Sequence, residues 1–421
     1  MIKAQLFRCA AGWQILSPAR SGSARWHLAI QIIGVKKMNF EFATATKIIF
    51  GPGTIPAAAS SIKSLGKRVL VVCGKYLNRA ELLFHQLKMQ GIDFLTFQVS
   101  GEPDIALASK GIDLARKKSC DVVIGFGGGS VLDTGKVIAA MLTNPDDLMD
   151  YLEVIGRGQK INSKSVPYIA IPTTSGTGAE VTQNAVLSSP EQKIKVSMRS
   201  PLMLPMLAIV DPDLTYSMPP DVTASTGLDA LTQLMEAFVS IKSNPLTDGI
   251  CREGIMRAAR SLKQAYENGN NQQARADMSL ASLFSGLALA NAGLGAVHGL
   301  AGPIGGMFPA PHGVVCARLL PFVMEANIRN LIEQAPESPN LFRYHEIAKI
   351  VTGNYSAQIE AGLEWIQKLC ANLKVPGLSN FGLTPKDIAS VVEKSQQASS
   401  MKGNPIRLSN EALAQILKES M

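Results

Sequence analysis

Residues 120–141 read C-D-V-V-I-G-F-G-G-G-S-V-L-D-T-G-K-V-I-A-A-M. A short apolar, β-branched run ends in glycines and passes directly into a run of helix formers. Buried strand, glycine turn and helix in that order form one unit of a parallel sheet. Without Cβ atoms at Gly127, Gly128 and Gly129, the turn's N–H groups are open to a pyrophosphate, and the helix dipole adds attraction. Ser130 stands where the last glycine of a G-x-G-x-x-G fingerprint would fall. The alternative reading of the turn is a tight strand-to-helix connection with no ligand.

Outward from this unit the same alternation continues. K-R-V-L-V-V-C at 67–73 is a strand, followed by a helical stretch to Gln90. Residues 92–99 read as a strand, 101–104 as a turn and 105–118 as an amphipathic helix. Residues 166–172 form another apolar strand, which runs into T-T-S-G-T-G-A-E at 173–180. Hydroxyl residues and glycines at the carboxyl end of a strand make either a polar ligand-binding lip or a solvated loop. L-A-I-V-D at 207–211 is a further strand, and Pro212, Pro219 and Pro220 close the segment. The fold class expected is α/β over residues 38–220, followed by an all-α domain over 221–421.

In the second segment, residues 227–238 (G-L-D-A-L-T-Q-L-M-E-A-F) predict a helix with Asp229, Gln233 and Glu236 at i, i+4 and i+7. One face then carries three polar groups among apolar neighbours, either as a solvent side or as a polar interior site. Residues 276–289 predict a further helix. Next comes N-A-G-L-G-A-V-H-G-L-A-G-P-I-G-G-M-F-P-A-P-H-G at 291–313, with two of the five histidines. His298 falls in a helix-like Ala/Gly run and His312 in a Pro-flanked loop. Two imidazoles among small residues make a candidate metal pair, or a pair of hydrogen-bonded core and turn histidines. Residues 329–339 read as a surface linker. Residues 341–352, 356–373 and 384–400 read as outer helices.

At 421 residues, with 46% hydrophobic and 18% charged residues, the chain is long enough for two folded domains. No uninterrupted apolar run reaches about 18 residues, so no membrane span is expected. The six cysteines lack C-x-x-C spacing and suit reduced thiols in the cytoplasm. The net charge of +8 is concentrated in residues 1–37, which hold Lys3, Arg8, Arg20, Arg25, Lys36 and Lys37 and no acid; +2 remains for the rest. That balance gives no basis for nucleic-acid binding. Residues 1–37 suit a targeting segment or an upstream extension, with Met38 as the functional start.

Taken together, G-G-G-S-V-L-D-T-G-K at 127–136, I-P-T-T-S-G-T-G-A-E at 171–180 and A-I-V-D-P at 208–212 resemble the iron-type (group III) metal-dependent alcohol dehydrogenases. G-L-D-A-L-T at 227–232, V-H-G-L-A-G-P-I-G-G at 297–306 and P-H-G at 311–313 extend the resemblance in the family's order. It implies a dinucleotide-binding α/β domain and an all-helical domain of the dehydroquinate synthase-like fold, with metal and substrate in the cleft between them. It further implies hydride transfer between a small alcohol or aldehyde and NAD or NADP, a divalent metal (Fe2+ or Zn2+), and a homodimer. By motif, Gly128, Gly129 and Ser130 would hold the pyrophosphate. Thr173, Thr174, Thr177, Thr182, Asn184 and Lys195 would line the rest of the cofactor site. Asp229, His298 and His312 fall on metal-ligand and catalytic positions.

Two departures stand out. The family's second ligand, usually His, is Gln233, which could offer a weak carbonyl ligand or bond a water; the position of a further common His is Gly302. Gly74-Lys75 follows the second strand without the Asp that NAD-preferring relatives often carry, so NADP use is expected. Met307, Phe308 and Leu294 are expected to line the substrate pocket. The resemblance also leaves open a metal-independent reductase of the maleylacetate type, a dehydroquinate synthase-like lyase, and a nucleotide binder without turnover. For the lyase, no Lys/Arg cluster lies near the histidines; Arg318 is the nearest.

Overall fold

A computed structural model describes residues 39–421. The expectations for residues 1–37 and Met38 lie outside the described residues. Six parallel strands form the main sheet: β1 (Lys47–Phe50), β2 (Arg68–Gly74), β3 (Asp93–Val99), β4 (Val122–Gly127), β5 (Tyr168–Pro172) and β8 (Leu207–Val210). Their order is β1-β8-β5-β4-β2-β3. Helices α1 (Pro56–Ile62), α2 (Glu81–Met89), α3 (Ile105–Lys117) and α4 (Gly129–Met141) cover the sheet.

The apolar strands are continuous because both faces are buried. In β2, Leu70 and Val72 enter one core with Ile112 and Ile138, while Val69 and Val71 enter the opposite core with Ile62, Leu83 and Leu87. From β2 the chain moves outward to β3. From β4 it moves the other way to β5. The carboxyl ends of β2 and β4 therefore flank the crevice where such sheets bind ligands.

The hairpin β6 (Asn184–Ser189) and β7 (Ile194–Arg199) was not anticipated. It is fastened to α4, where Asp133 accepts the Val186 N–H at 3.0 Å and Lys136 donates to the Asn184 carbonyl at 2.7 Å.

From Pro220 onward the chain is helical: α5 (Pro220–Val239), α6 (Pro245–Glu267), α7 (Gln272–Ala292), α8 (Ala296–Met307), α9 (His312–Gln334), α10 (Pro339–Thr352), α11 (Ile359–Asn372), α12 (Ile388–Gln396) and α13 (Asn410–Glu419). These helices share one apolar core, with Leu231, Phe238, Ile255, Leu300 and Leu319 fully buried. Two expectations are corrected. His312 is the first residue of α9 rather than part of a loop, because Pro311 occupies the N-cap, where no N–H is needed. Residues 329–334 continue α9 instead of forming a linker, with Leu331 buried. Among the described residues no single helix is long and apolar enough to cross a membrane.

The two halves meet backbone to backbone. Gly178 has φ +62°, and a Cβ there would lie 2.3 Å from Gly286 Cα on α7. A Cβ on Gly286 would lie 2.2 Å from the Gly178 carbonyl oxygen. Only glycines permit this approach.

Candidate metal and nucleotide site

Three helices bring the acid and the two histidines together. Asp229 sits mid-way along α5, His298 in the first turn of α8, and His312 opens α9. His298 Nε2 lies 3.3 Å from Asp229 Oδ1, and His312 Nε2 lies 4.0 Å from the same oxygen. Cys316 completes the group. Its Sγ is 3.6 Å from Nε2 of each histidine. One ligand atom from each of the four lies within 4.8 Å of the others. Cys316 follows His312 by four residues, one helical turn, so both face the same side. That spacing was visible in the sequence, but reading His312 as a loop residue hid it.

Glu236, one turn beyond Gln233 on α5, builds the start of α8. Its Oε1 accepts the Val297 N–H at 2.7 Å, and its Oε2 stands 2.5 Å from His298 Nδ1. Asn404 Oδ1 accepts the neighbouring Ala296 N–H at 3.0 Å. A carboxylate at a helix N-terminus satisfies free N–H groups and the dipole together. It also fixes the ring so that Nε2 points at the cluster.

Burial alone would lower the His298 pKa. Cys316, Glu236 and the bond to Asp229 outweigh it and raise the pKa well above the usual value. His312 is pushed down to about 4 by desolvation, against the pull of Asp229 and helped by His298, although 35% of its side chain remains exposed. Burial would raise the pKa of Asp229, but its hydrogen bond to His298 and the charge of His312 bring it below the usual carboxylate range. Desolvation pushes the Cys316 thiol up to about 12.

The polar stripe on α5 is interior: Asp229, Gln233 and Glu236 are all buried. Gln233 lies beside the cluster. Its Nε2 donates to Asp229 Oδ2 at 3.2 Å, and its Oε1 accepts from Ser285 at 2.7 Å. Ser285 also lies 3.3 Å from the Gly176 carbonyl. Asp229, Gln233, Ser285 and Gly176 thus tie the cluster to the loop that follows β5.

The glycine turn and that loop form one surface. Gly128 is the N-cap of α4, and Ser130 is its second residue. Cβ atoms added at Gly128 and Gly129 would lie 3.3 Å from Thr174 and 2.8 Å from Thr177. Thr173 continues the ladder, its N–H donating to Gly127 at 2.9 Å. Thr182 and Asn184 lie lower, around the buried Lys136, whose ammonium donates to Thr182 Oγ1 at 2.9 Å. Lys195 pairs with Glu102 at 2.7 Å, and its Nζ would lie 3.0 Å from a Cβ on Gly305 of α8. Lys136 and the buried Glu180 were not singled out from the sequence, although both fall inside the quoted motifs.

At Gly302 a Cβ would meet nothing within 4 Å, so the missing His leaves open space. Met307 and Phe308 line a cavity of about 290 Å³ with Ile194 and Ser189. Leu294 is not among its lining residues; its carbonyl packs on Gly403 instead.

The family described as iron-containing alcohol dehydrogenase matches residues 45–212, and its C-terminal counterpart matches residues 223–421. Long-chain-alcohol dehydrogenase 1 of Geobacillus thermodenitrificans is 36% identical over 84% of this chain and 91% of its own length. The NAD-dependent methanol dehydrogenase of Bacillus methanolicus is 28% identical over 89% of this chain and 97% of its own. A crystal structure of 1,3-propanediol oxidoreductase superposes with a TM-score of 0.85 at 32% identity, covering 91% of this chain and all of that one. With both halves matched in order around an acid, imidazole and thiol cluster, the chain belongs to the iron-containing alcohol dehydrogenase family and is an oxidoreductase acting on alcohols.

Proposed function

We propose that the protein is a divalent-metal-dependent dehydrogenase interconverting a small alcohol and its aldehyde with NAD or NADP. The carrying observation is the convergence of Asp229, His298 and His312 from three helices onto one point. These residues fit a divalent cation. The carboxylate is held ionised, two imidazoles present Nε2, and Glu236 orients one of them. When bound, the cation supplies Lewis acidity toward the alcohol oxygen and the nicotinamide takes up the hydride.

The chain's own residues do the rest. Asp229, His298 and His312 would hold the ion, and the Asp229 carboxylate would offset part of its charge. Gly128, Gly129 and Ser130 hold the pyrophosphate on the α4 N-terminus, and Thr173, Thr174 and Thr177 wall the other side. Thr182, Asn184 and Lys195 complete the cofactor site, Thr182 and Asn184 through the shelf that Lys136 braces. The space at Gly302 lets water, in place of a side chain, carry the proton out. The α/β half, about residues 38–220, is the dinucleotide domain, and 221–421 carries the metal and substrate groups.

For the cofactor, β2 ends at Gly74 without an acid, and Lys75 and Arg79 both lie over the exposed Tyr76 ring, at 5.9 and 5.8 Å. Two cations there accept the 2′-phosphate of NADP. We extend the proposal to a homodimer in the cytosol. The free Cys73, Cys120, Cys251, Cys316 and Cys370 suit a reducing location, and light scattering tests the dimer.

The deciding experiment is an absorbance assay at the nicotinamide band over short alcohols and aldehydes, with each cofactor, before and after chelation. Turnover that chelation abolishes and a divalent ion restores is expected. Undiminished turnover in metal-free protein would transfer the case to the metal-independent reductase reading.

A further inference from the structure

We propose that Cys316 is a protein ligand of the divalent ion and stands in for the nitrogen that Gln233 does not supply. The proposal rests on the metal-dependent reading above.

Geometry comes first. In a tetrahedral zinc site, bonds of about 2.0–2.1 Å to nitrogen or oxygen and about 2.3 Å to sulfur put N and O atoms roughly 3.3–3.4 Å apart and S and N atoms roughly 3.5–3.6 Å apart. The His298 Nε2 to Asp229 Oδ1 separation is 3.3 Å, and the Cys316 Sγ stands 3.6 Å from Nε2 of both His298 and His312. Of the six separations among four donor atoms, these three match a tetrahedron and all six lie within 4.8 Å. A fourth, from His312 to Asp229, is 4.0 Å and involves the most exposed member, which has the most room to close in.

Gln233 turns its amide oxygen away from the cluster. The end of its amide that faces the Asp229 carboxylate must be the N–H end, because a carboxylate only accepts, and the oxygen is turned to Ser285. Gln233 is therefore a positioning residue that holds Asp229.

Charge agrees. Binding releases the Cys316 S–H proton and the second ring proton of His298 to solvent. One carboxylate, one thiolate and two neutral imidazoles then neutralise a divalent ion in a pocket where Asp229 and Cys316 are almost completely buried, and the alcohol oxygen of the proposed reaction would enter as a fifth ligand. A thiolate in the set favours zinc over iron(II), since soft sulfur donors select zinc among the metals common in such sites.

The test begins with the intact wild-type protein, stripped of metal and reloaded with one equivalent of zinc or cobalt(II). X-ray absorption at the zinc edge is expected to show one sulfur scatterer near about 2.3 Å with lighter atoms near about 2.0–2.1 Å. The cobalt form is expected to show a sulfur-to-metal charge-transfer band in the near ultraviolet. Cys316→Ser is expected to lose that band and to bind zinc more weakly by more than the roughly 10–100-fold typical of losing an outer partner. Gln233→Ala is expected to keep the band and stay within that outer range. Stoichiometric zinc surrounded only by light atoms overturns the assignment of Cys316 while leaving the metal-dependent reading intact. Protein that takes up no divalent ion overturns both.

Discussion

Oε2 of Glu236 stands 2.5 Å from Nδ1 of His298, while the other oxygen of the same carboxylate holds the N–H of Val297. One buried side chain thus fixes the start of a helix and the direction of a ligand ring on it. Glu236→Gln keeps the shape and removes the charge. Divalent-metal affinity, measured against a chromophoric chelator, is expected to fall roughly 10–100-fold. Unchanged affinity would mean that the carboxylate serves the helix end alone.

His298→Ala is expected to lower kcat by more than about 10²-fold, the scale of several kcal/mol of lost Lewis-acid stabilisation. The cofactor dissociation constant, followed by nicotinamide fluorescence, is expected to move only a few-fold. Comparable losses in both quantities would make the ring a structural element.

Glu180 is buried beside Lys136, and desolvation lifts its pKa to about 7 from 4.5. A carboxyl whose folded pKa is raised contributes stability that is complete below its unfolded pKa and is lost as pH rises through the folded one. Between about pH 4.5 and 7 the protein therefore gives up, at most, about 3 kcal/mol through this group. Glu180→Gln is expected to flatten the decline: thermal midpoints of variant and wild type should differ little at pH 5 and favour the variant at pH 8. A constant difference across that range would show that Glu180 does not titrate there.

Lys75→Asp replaces a cation at the end of β2 with an acid. The ratio of kcat/KM for NADP to that for NAD is expected to fall by roughly tenfold or more, since the new carboxylate repels the 2′-phosphate and accepts ribose hydroxyls. A ratio that stays put would remove Lys75 from cofactor selection.

The main sheet was legible because its strands are buried on both faces and read as unbroken apolar runs such as V-L-V-V. The β6–β7 hairpin was missed because its strands are half-buried and polar in alternation, and Lys136 and Asp133 on a distant helix fasten them. Asp229, His298 and His312 stood out through their motifs. The thiol did not, because prolines at 309 and 311 disguised the helix that places Cys316 one turn after His312. Helix α6 went unread because its buried face, although regularly spaced at Cys251, Ile255, Ala258, Leu262 and Ala265, is diluted by small and hydroxyl residues such as Thr247, Gly254 and Ser261. Its Arg257 and Arg260 pair with the buried Asp277 at 2.6 and 2.7 Å, a partnership between segments that no local pattern reveals.

The contact between Gly178 and Gly286 carries a wider implication. On the proposed function the nucleotide would lie on one side of that seam and the ion on the other, so the distance over which the hydride must jump would be set where two bare backbones touch. Gly178→Ala would act there as a wedge one methyl group thick. Some 2–4 kcal/mol of folding stability is expected to go with it, and a surviving fraction should bind each partner separately yet bring them together poorly, a defect visible as slow single-turnover chemistry with both affinities preserved.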